Sequence, residues 1–509
     1  MMIDDEDEDN IFDGDGNLDS DQNENNNEDM VIDDEDEEIN DKDSWKVIRA
    51  YFKQHGLVSQ QIGSFNQFVG KNIQEIIDEN KTISIEVDTN YSRKDADDET
   101  KYELSFSQSR IAANPQFIEI NTNVENKIFP NDARVRNLDY LSELSLDVIW
   151  REKKKSGVNE RTYANVNIGK IPIMVRSKYC SLNDKSDTER VAVKECEFDQ
   201  GGYFIIGGGE KVIVAQERMA TNFVYVFNKK EQSGYSWQAE VRSNIDGSNR
   251  PPVLFAVKIS KKNTHLKNNL GGLITARIPY VKADIPIVIL FRALGLESDK
   301  DIMDYIIFDE EDNSFKELLR PSLEYASEYR GKAECLEYIG NKATRGEDSR
   351  EEERIKRAED ILRNNMLSHV SIERGNENKK AYFIGYMIYR LGNCSLGRSF
   401  GDDRDHYGKK RLDMYGVLLS GIFRQLFRRF TKRAETSLKD QIKHNKKGTI
   451  NLESAFDKNI ITGGIKYAFA TGNWGQNKVG QEQKTGVAQV IQRLTFMSSL
   501  SHLRRVKYP

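Results

Sequence analysis

The chain has 509 residues, of which 38% are hydrophobic and 31% charged, and its formal net charge at pH 7 is −7. This length allows two to four domains with sizeable cores. Four widely spaced cysteines without a CxxC pair signal neither a zinc site nor a disulfide framework and favour isolated reduced thiols. Because no apolar run reaches transmembrane length and the amino terminus is acidic, we expect an intracellular protein without a signal peptide or membrane span.

The charge is distributed very unevenly along the chain. Residues 1–43 hold 21 Asp and Glu and one Lys, whereas 404–447 hold 13 Lys and Arg against four Asp and Glu, and 448–509 hold eight against three. A segment so acidic and so poor in aromatic residues cannot bury enough surface to offset the entropy of ordering, so 1–42 is predicted to be a disordered tail. Two roles stay open for it: a solvated tail, or screening of the chain's own basic surface.

Two helices are predicted directly after this tail, and both are expected to face a core. Ser44 can cap the first helix and Ser64 the second, because each precedes apolar residues at helical spacing. The stretch GLVSQQIGS between them is interpreted as a connecting loop. The apolar residues are Trp45, Ile48, Tyr51 and Phe52 in the first helix, and Phe65, Phe68, Ile73, Ile76 and Ile77 in the second.

Short strands with polar turns are predicted over 83–203. Within them the polar segment 155–166 is predicted to be a surface loop. The sequence GGGEK at 207–211 lacks the GxxxxGK spacing, followed by Ser or Thr, of a nucleotide-binding loop. Because it stands between two apolar runs, it predicts a hairpin turn whose glycines take positive φ angles.

The next segment begins with strands and continues with helices. Strands are predicted near 223–227, 237–242, 253–260 and 273–281, and helices rich in Glu, Lys and Arg from about 314 to 390. Together with the first segment, this pattern predicts an α+β, multidomain fold.

The most regular amphipathic helix follows residue 413. Its apolar side chains repeat at three-and-four spacing and predict a buried stripe, which comprises Tyr415, Leu418, Leu419, Ile422, Phe423, Leu426, Phe427 and Phe430. Arg424, Arg428 and Lys432 recur every four residues and predict a basic face that stays free for a partner. A membrane surface or a calmodulin-like binder is an alternative partner for such a helix.

The segment 471–505 joins a glycine-rich loop to a helix bearing Gln and Arg and ends in an arginine pair. Its glycines allow tight turns, and Trp474 can anchor the loop. Its cations suit backbone phosphates, which makes the segment a candidate nucleic-acid edge. These cations are Lys478, Lys484, Arg493, Arg504 and Arg505.

No motif indicates an independent catalyst. The six histidines lack HExxH or HxH spacing, and GxSxG does not occur. Asp402, Asp403 and Asp405 could be taken for a metal site, but Arg404 and Lys409 beside them favour an ion-paired structural turn.

Several unusual strings follow one another in a fixed order. In 471–505 these are TGNWG, GVAQV and LSHLRR; earlier in the chain they are DSWKVI, GLVSQQIGSFNQFV, PNDARVRNLDY, GKIPIMVRSKYCSL, GGYFIIGGGEKVIVAQER, DIPIVILFRALG and DDRDHYGKKRLD. They resemble the second-largest subunit of eukaryotic multisubunit RNA polymerases, most of all the RNA polymerase II form. The resemblance covers the chain from about residue 43 to 505. It implies a protrusion domain in two parts, 43–218 and 404–470, an inserted lobe domain at 219–403, and an incomplete fork at 471–509.

The resemblance also implies a function. The chain would be the amino-terminal part of a nucleotidyltransferase subunit that holds template DNA and the RNA–DNA hybrid in the nucleus, together with the largest and other polymerase subunits. Alone it is expected to be inactive. It would hold no cofactor, because magnesium is held by the largest subunit and the zinc-binding clamp belongs to the missing carboxy-terminal half.

The nucleic-acid-binding residues implied in this way are Lys211, Lys466, Thr471, Gln489, Arg504 and Arg505, and 472–484 matches the first fork loop. Simpler interpretations exist: Lys211 as an ordinary exposed lysine, Thr471 as the end of a strand, and Gln489 as a residue on a helix surface.

The chain departs from the family pattern in loop 476–485 and in its final VKYP. Everything beyond the fork is missing, so a gene fragment, a split subunit and a degenerate product all stay open. A second hypothesis is a free nucleic-acid-binding or polymerase-interacting module without catalytic participation.

Overall fold

The computed structural model describes residues 40–85, 101–112, 115–118, 125–154, 157–229, 232–248, 250–261, 272–343, 350–444, 451–475 and 484–508. Contacts divide the chain into two units, residues 1–54 and 55–509. Most of the predicted acidic tail, and the fork-loop tip with Lys478, lie outside the described residues.

Helix α1 (Asp41–His55) belongs to the first unit. It starts three residues before Ser44, with Asp41 and Asp43 in the first turn, where carboxylates stabilise the positive end of the helix dipole. None of its residues is buried, and Trp45 is 61% exposed. The predicted helix is therefore confirmed, but the Ser44 cap and the core-facing side are wrong.

The second unit begins with helices that pack into its core and continues with strands. The elements are α2 (Ser59–Gln67), a π-helical turn (Phe68–Asn72), α3 (Ile73–Glu79), β1 (Thr82–Ile85), β2 (Lys101–Ile111), β3 (Gln116–Ile118), β4 (Glu125–Lys127), α4 (Pro130–Val135), β5 (Leu141–Lys154), β6 (Gly157–Pro172), α5 (Asp187–Ala192), β7 (Phe204–Ile206), β8 (Gly209–Ile213) and β9 (Ala215–Met219).

Two expectations for this region need correction. Ser59 already begins α2, so part of the predicted loop is helical, and the Ser64 hydroxyl does not cap a helix but accepts a hydrogen bond from Gly416 N at 2.9 Å. Segment 157–166 is exposed as predicted, yet it is strand, because β6 pairs with β5 as far as Lys154↔Gly157. Backbone pairing thus sustains a polar strand that shows no apolar alternation.

The described residues in the middle of the chain form a five-stranded sheet followed by six α-helices. They are β10 (Tyr225–Asn228), β11 (Tyr235–Ser243), β12 (Val253–Ser260), β13 (Ile274–Arg277), β14 (Ile285–Pro286), α6 (Ile287–Ala293), α7 (Asp299–Ile306), α8 (Asn313–Tyr325), α9 (Lys332–Asn341), α10 (Glu351–Asp360) and α11 (Glu377–Ser395). The strands pair in chain order, which confirms the four predicted strands and the helices after them.

The last part of the chain is mainly helical. It comprises β15 (Lys410–Asp413), α12 (Tyr415–His444), α13 (Leu452–Ala455), α14 (Asn459–Thr471), β16 (Ala488–Val490), α15 (Phe496–Leu503) and β17 (Val506–Lys507). The predicted Gln- and Arg-bearing helix is therefore only partly right, because Gln489 lies on a strand and Arg493 on the connection before α15.

Two buried clusters organise the second unit. One draws on residues 58–213 and again on 415–503, and it contains the whole predicted stripe of α12. The other draws on 224–394. The fold mixes helices with several separate sheets, which agrees with the α+β prediction, while the named domains and their boundaries stay a prediction.

Candidate nucleic-acid interface

A tight hairpin carries Lys211. Strands β7 and β8 pair through Ile206↔Gly209, and Gly207 and Gly208 between them have φ angles of 57° and 74°. These values confirm the predicted glycine turn, since both central residues of such a hairpin need positive φ. Lys211 is half-buried, and the described residues contain no ion-pair partner for its ammonium group.

Strand β16 brings Gln489 to the same sheet. The register pairs Gln489 with Val212 and Val490 with Lys211. Directly opposite residues share a face and neighbours along a strand alternate, so Lys211 and Gln489 face opposite sides of this sheet. Gln489 faces α15, because its Oε1 lies 3.0 Å from Nε2 of His502.

His502 fixes the position of the Gln489 side chain. Its ring is 2% exposed, and Gln492 N–H donates to Nδ1 at 3.2 Å, so the proton of the neutral ring lies on Nε2 and is donated to Gln489. Burial and the nearby Arg505 charge lower the pKa of His502. The neutral form that this network requires is thereby favoured.

The arginine pair follows directly on a fixed helix end. The carbonyl of Leu503 accepts hydrogen bonds from Gln61 Nε2 and from the Tyr415 hydroxyl, each at 3.3 Å. Arg504 and Arg505 are exposed, and within the described ranges neither guanidinium has an ion-pair or hydrogen-bond partner. The chain then enters β17, which pairs in parallel with β9 through Val506↔Ala215.

Lys466 and Thr471 lie on α14, which packs on the face of the β7–β8–β16 sheet opposite to α15. This helix packs there through Phe469, whose ring centroid is 4.9 Å from that of Phe204, the residue opposite Lys211. Lys466 Nζ pairs with Asp139 Oδ2 at 2.6 Å, and Asp139 Oδ1 accepts from Gly207 N at 2.7 Å. Lys466 is thus engaged in holding the hairpin turn.

Thr471 ends a helix rather than a strand. Its hydroxyl donates to Tyr467 O at 2.9 Å and accepts from Asn473 N at 3.2 Å, and Gly472 follows with a left-handed φ of 72°. Trp474 anchors the loop as predicted, since it is 6% exposed and its Nε1 donates to Leu418 O at 2.8 Å.

Lys484 pairs with Asp413 Oδ2 at 3.7 Å, and the structure also corrects the predicted role of Arg493. Arg493 pairs with Glu210 at 2.8 Å and lies over the ring of Tyr203, 4.9 Å from the centroid. Arg134 approaches Glu210 from α4 at 2.7 Å. Although burial opposes it, the two guanidinium groups hold the pKa of Glu210 below its usual range. Arg493 therefore ties the chain after β16 to β8 and is not free for phosphate.

Sequence reasoning missed the residues that position the arginine pair. Tyr415 was expected only as a core residue, and no sequence signal singles out Gln61, which is separated from Leu503 by 442 positions. The Arg134–Glu210–Arg493 group was missed for the same reason: its members are 76 and 283 positions apart.

The predicted ion-paired turn at 402–405 is confirmed for Asp402 and Lys409, whereas Arg404 pairs with Glu240 at 3.9 Å. Asp402 accepts from Lys409 Nζ at 2.5 Å, from Arg390 at 3.2 Å and from Val226 N at 2.8 Å. Across the part of the chain that the structure describes, no three His, Cys, Asp or Glu side chains form a group suited to a metal ion. None of the described helices has the length and apolarity that a membrane crossing requires.

Sequence comparison finds relatives over nearly the whole chain. Residues 56–463 match the family described as RNA polymerase beta subunit. The DNA-directed RNA polymerase II subunit 2 of Arabidopsis thaliana is 45% identical over 488 residues, and subunit RPB2 of Schizosaccharomyces pombe is 40% identical over 486 residues. These alignments cover 94% and 93% of this chain.

The relatives differ in length. The chain spans about 40% of the length of the two eukaryotic relatives. By contrast, it covers 86% of DNA-directed RNA polymerase subunit Rpo2N of Methanothermobacter thermautotrophicus, which is 31% identical over 484 residues.

Proposed function

Because this chain belongs to the family of RNA polymerase beta subunits, we propose that it forms the amino-terminal part of the second-largest subunit of a DNA-directed RNA polymerase. The relatives named RNA polymerase II subunits favour the polymerase II form and hence work in the nucleus. Its partners in this proposal are the largest subunit, the other polymerase subunits, the DNA template and the RNA–DNA hybrid.

The proposed role is to hold nucleic acid during transcription. The observation that carries it is the exposed Arg504–Arg505 pair, which has no partner among the described side chains and follows a carbonyl fixed by Gln61 and Tyr415. Unpaired guanidinium groups on a rigid helix end suit phosphate oxygens. Contacts to the backbone rather than to base edges allow an enzyme to act on any sequence.

Gln489 would extend this interface, because its side chain contacts His502 of α15, three residues before Arg505. Lys211, on the opposite face of the sheet, would add a contact on the side where α14 packs. Lys466 and Thr471 would support it from α14, with Lys466 holding the hairpin through Asp139. In the same proposal the buried cluster of 58–213 and 415–503 is the protrusion and fork side, and the cluster of 224–394 is the inserted lobe.

Nucleotidyl transfer itself is assigned to the assembled enzyme. In this proposal the magnesium ions of the reaction belong to the largest subunit. Positioning of the template still contributes to such a reaction, because phosphoryl transfer depends on orientation and charge stabilisation.

Co-purification tests the proposal. The affinity-tagged chain, expressed in its own cells, is expected to bring down the largest polymerase subunit in an equimolar complex that extends RNA on a primed template. The purified chain alone should extend none. A tagged chain that purifies without polymerase subunits, yet still binds nucleic acid, would favour the free binding module instead.

A further inference from the structure

A second basic surface lies on the outer side of α12, away from the interface above. Arg428, Arg429, Lys432 and Arg433 are all exposed there. Among the residues that the structure describes, none of their charged groups has an ion-pair, hydrogen-bond or aromatic partner. We refer to these four residues as the basic stripe.

The opposite side of α12 makes the stripe rigid. Phe423, Phe427 and Phe430 are fully buried and stack on one another with centroids 5.8 and 5.9 Å apart. Glu435, the first carboxylate after the stripe in the sequence, does not neutralise it, because Glu435 pairs with Lys439 at 2.6 Å. Four uncompensated cations therefore stand on a backbone that packing holds in place.

The spacing of the stripe matches the charge density of a nucleic-acid duplex. Residues 428–433 span about 7.5 Å of helix axis at 1.5 Å per residue. Duplex DNA carries one phosphate per about 3.4 Å of axis on each strand, so a contact of that length meets about two phosphates on each strand, or about four in all. We propose that the basic stripe binds the phosphate backbone of duplex DNA without reading its sequence.

Other partners fit the stripe less well. A helix that binds a membrane surface needs an exposed apolar face, whereas no large hydrophobic side chain between residues 418 and 442 is exposed. Single-stranded nucleic acid is bound by stacking on aromatic side chains, and the stripe contains none. An acidic protein is the remaining competitor, and the experiment below separates it from DNA.

The stripe is a second contact, distinct from the arginine pair. Tyr415, which bonds the carbonyl before Arg504, lies thirteen residues before Arg428 on the same helix, or about 20 Å along its axis. This proposal rests on the proposed function, because it gives the DNA-holding subunit a second contact, with duplex DNA, about 20 Å along α12 from the residue that positions the arginine pair.

The test compares binding of a fluorescent 20-base-pair duplex of arbitrary sequence across a salt series. The stripe variant R428Q/R429Q/K432Q/R433Q keeps good helix formers at exposed positions. Loss of four phosphate contacts should make the slope of log affinity against log salt less negative by about 3.6, with at least tenfold weaker binding at low salt. The two half-variants, R428Q/K432Q and R429Q/R433Q, should each lose about half of that slope.

A matched variant controls for net charge. K300Q/R330Q/K356Q/K379Q removes the same charge from exposed positions in the 224–394 part of the chain, and it should bind like the unaltered chain. The proposal is overturned if the unaltered chain does not bind the duplex, if the stripe variants keep the full salt slope, or if they lose binding to polyglutamate but not to DNA. None of these results bears on co-purification with polymerase subunits, so the proposed function is judged separately.

Discussion

Two adjacent glycines hold the hairpin of Lys211 in place, and they do so for different reasons. Gly207 needs only its left-handed φ, since a Cβ there would meet no atom within 4 Å. At Gly208 a Cβ would lie 2.7 Å from Asn137 Oδ1 and 2.8 Å from Asn137 Cα. Only the second position therefore combines backbone strain with a close approach to the chain that precedes β5.

Gly207→Ala is expected to lower the free energy of unfolding by about 1–2 kcal/mol, the usual cost of a left-handed residue with a side chain. Gly208→Ala should cost about 1–3 kcal/mol more, because the backbone of Asn137 has to move. Thermal and denaturant unfolding of both variants measure the difference. Equal losses would show that the loop around Asn137 yields without cost.

A pH dependence follows from His502. Its folded-state pKa is lowered by burial and by Arg505, whereas an unfolded histidine binds its proton near pH 6.5. Between these two pKa values the unfolded state holds more protons, so stability falls as the pH drops below about 6.5. Protonation of Nδ1 also breaks its hydrogen bond from Gln492 N.

His502→Gln should therefore reduce the loss of melting temperature between pH 7 and pH 5. His369, whose pKa burial also lowers, accounts for the pH dependence that remains in this variant. An unchanged pH profile in His502→Gln would refute the neutral-ring network around Gln489.

Prediction from sequence succeeds for individual residues only where no distant partner intervenes. Trp474 as a loop anchor and the positive φ of the glycine turn follow from local chemistry, and the structure bears both out. Arg493 was expected to suit phosphate, yet its carboxylate partner lies far away in sequence, at Glu210. Charge along a sequence does not reveal which charges are already paired.

Helix α12 shows the same limit for a whole element. Periodicity predicted its buried stripe correctly, because helical spacing alone decides which residues share a face. It also placed Arg424 on the free basic face, and there it is wrong. Arg424 is 4% exposed and makes two hydrogen bonds of 3.1 Å to Glu79 of α3.

Arg424→Gln and Arg428→Gln should therefore differ sharply, although they lie one helical turn apart. The first leaves Glu79 without its buried partner and should lower the free energy of unfolding by about 1–3 kcal/mol. The second alters an exposed side chain and should change it by less than about 0.5 kcal/mol. Denaturant unfolding decides; similar values for both would mean that the Glu79 pair adds nothing to stability.

Strands were harder to predict than helices in this chain. Segment 157–166 shows no apolar alternation, because both of its faces are largely exposed and only the pairing with β5 makes it a strand. Strand β16 is three residues long and exists through its pairing with β8, more than 270 positions earlier. Such pairings depend on tertiary contacts, which a single sequence does not show.

At the scale of the whole molecule, charge is the dominant asymmetry. Residues 1–43 carry 21 acidic side chains, whereas the unpaired cations of α12 and of the arginine pair lie in the last quarter of the chain. Like charges on the acidic segment and on DNA repel at low salt whatever the conformation of that segment.

Deletion of residues 1–42 should strengthen binding of the chain to duplex DNA at low salt. The reason is that the formal net charge changes from −7 to strongly positive. Fluorescence anisotropy at several salt concentrations measures the effect, which should fade as salt screens the charges. Weaker binding after the deletion would contradict this electrostatic account.

The central claim is that Arg505 contacts nucleic acid inside an assembled polymerase, and the lifetime of an elongation complex tests it most directly. Complexes purified through the tagged chain would carry either Arg505 or Arg505→Ala, and their dissociation would be followed against salt alongside the melting temperature. We expect a shorter lifetime, equivalent to about 1.5–3 kcal/mol for a charge-assisted bond, with an almost unchanged melting temperature. An unchanged lifetime with a large loss of melting temperature would contradict the account and make Arg505 a structural residue.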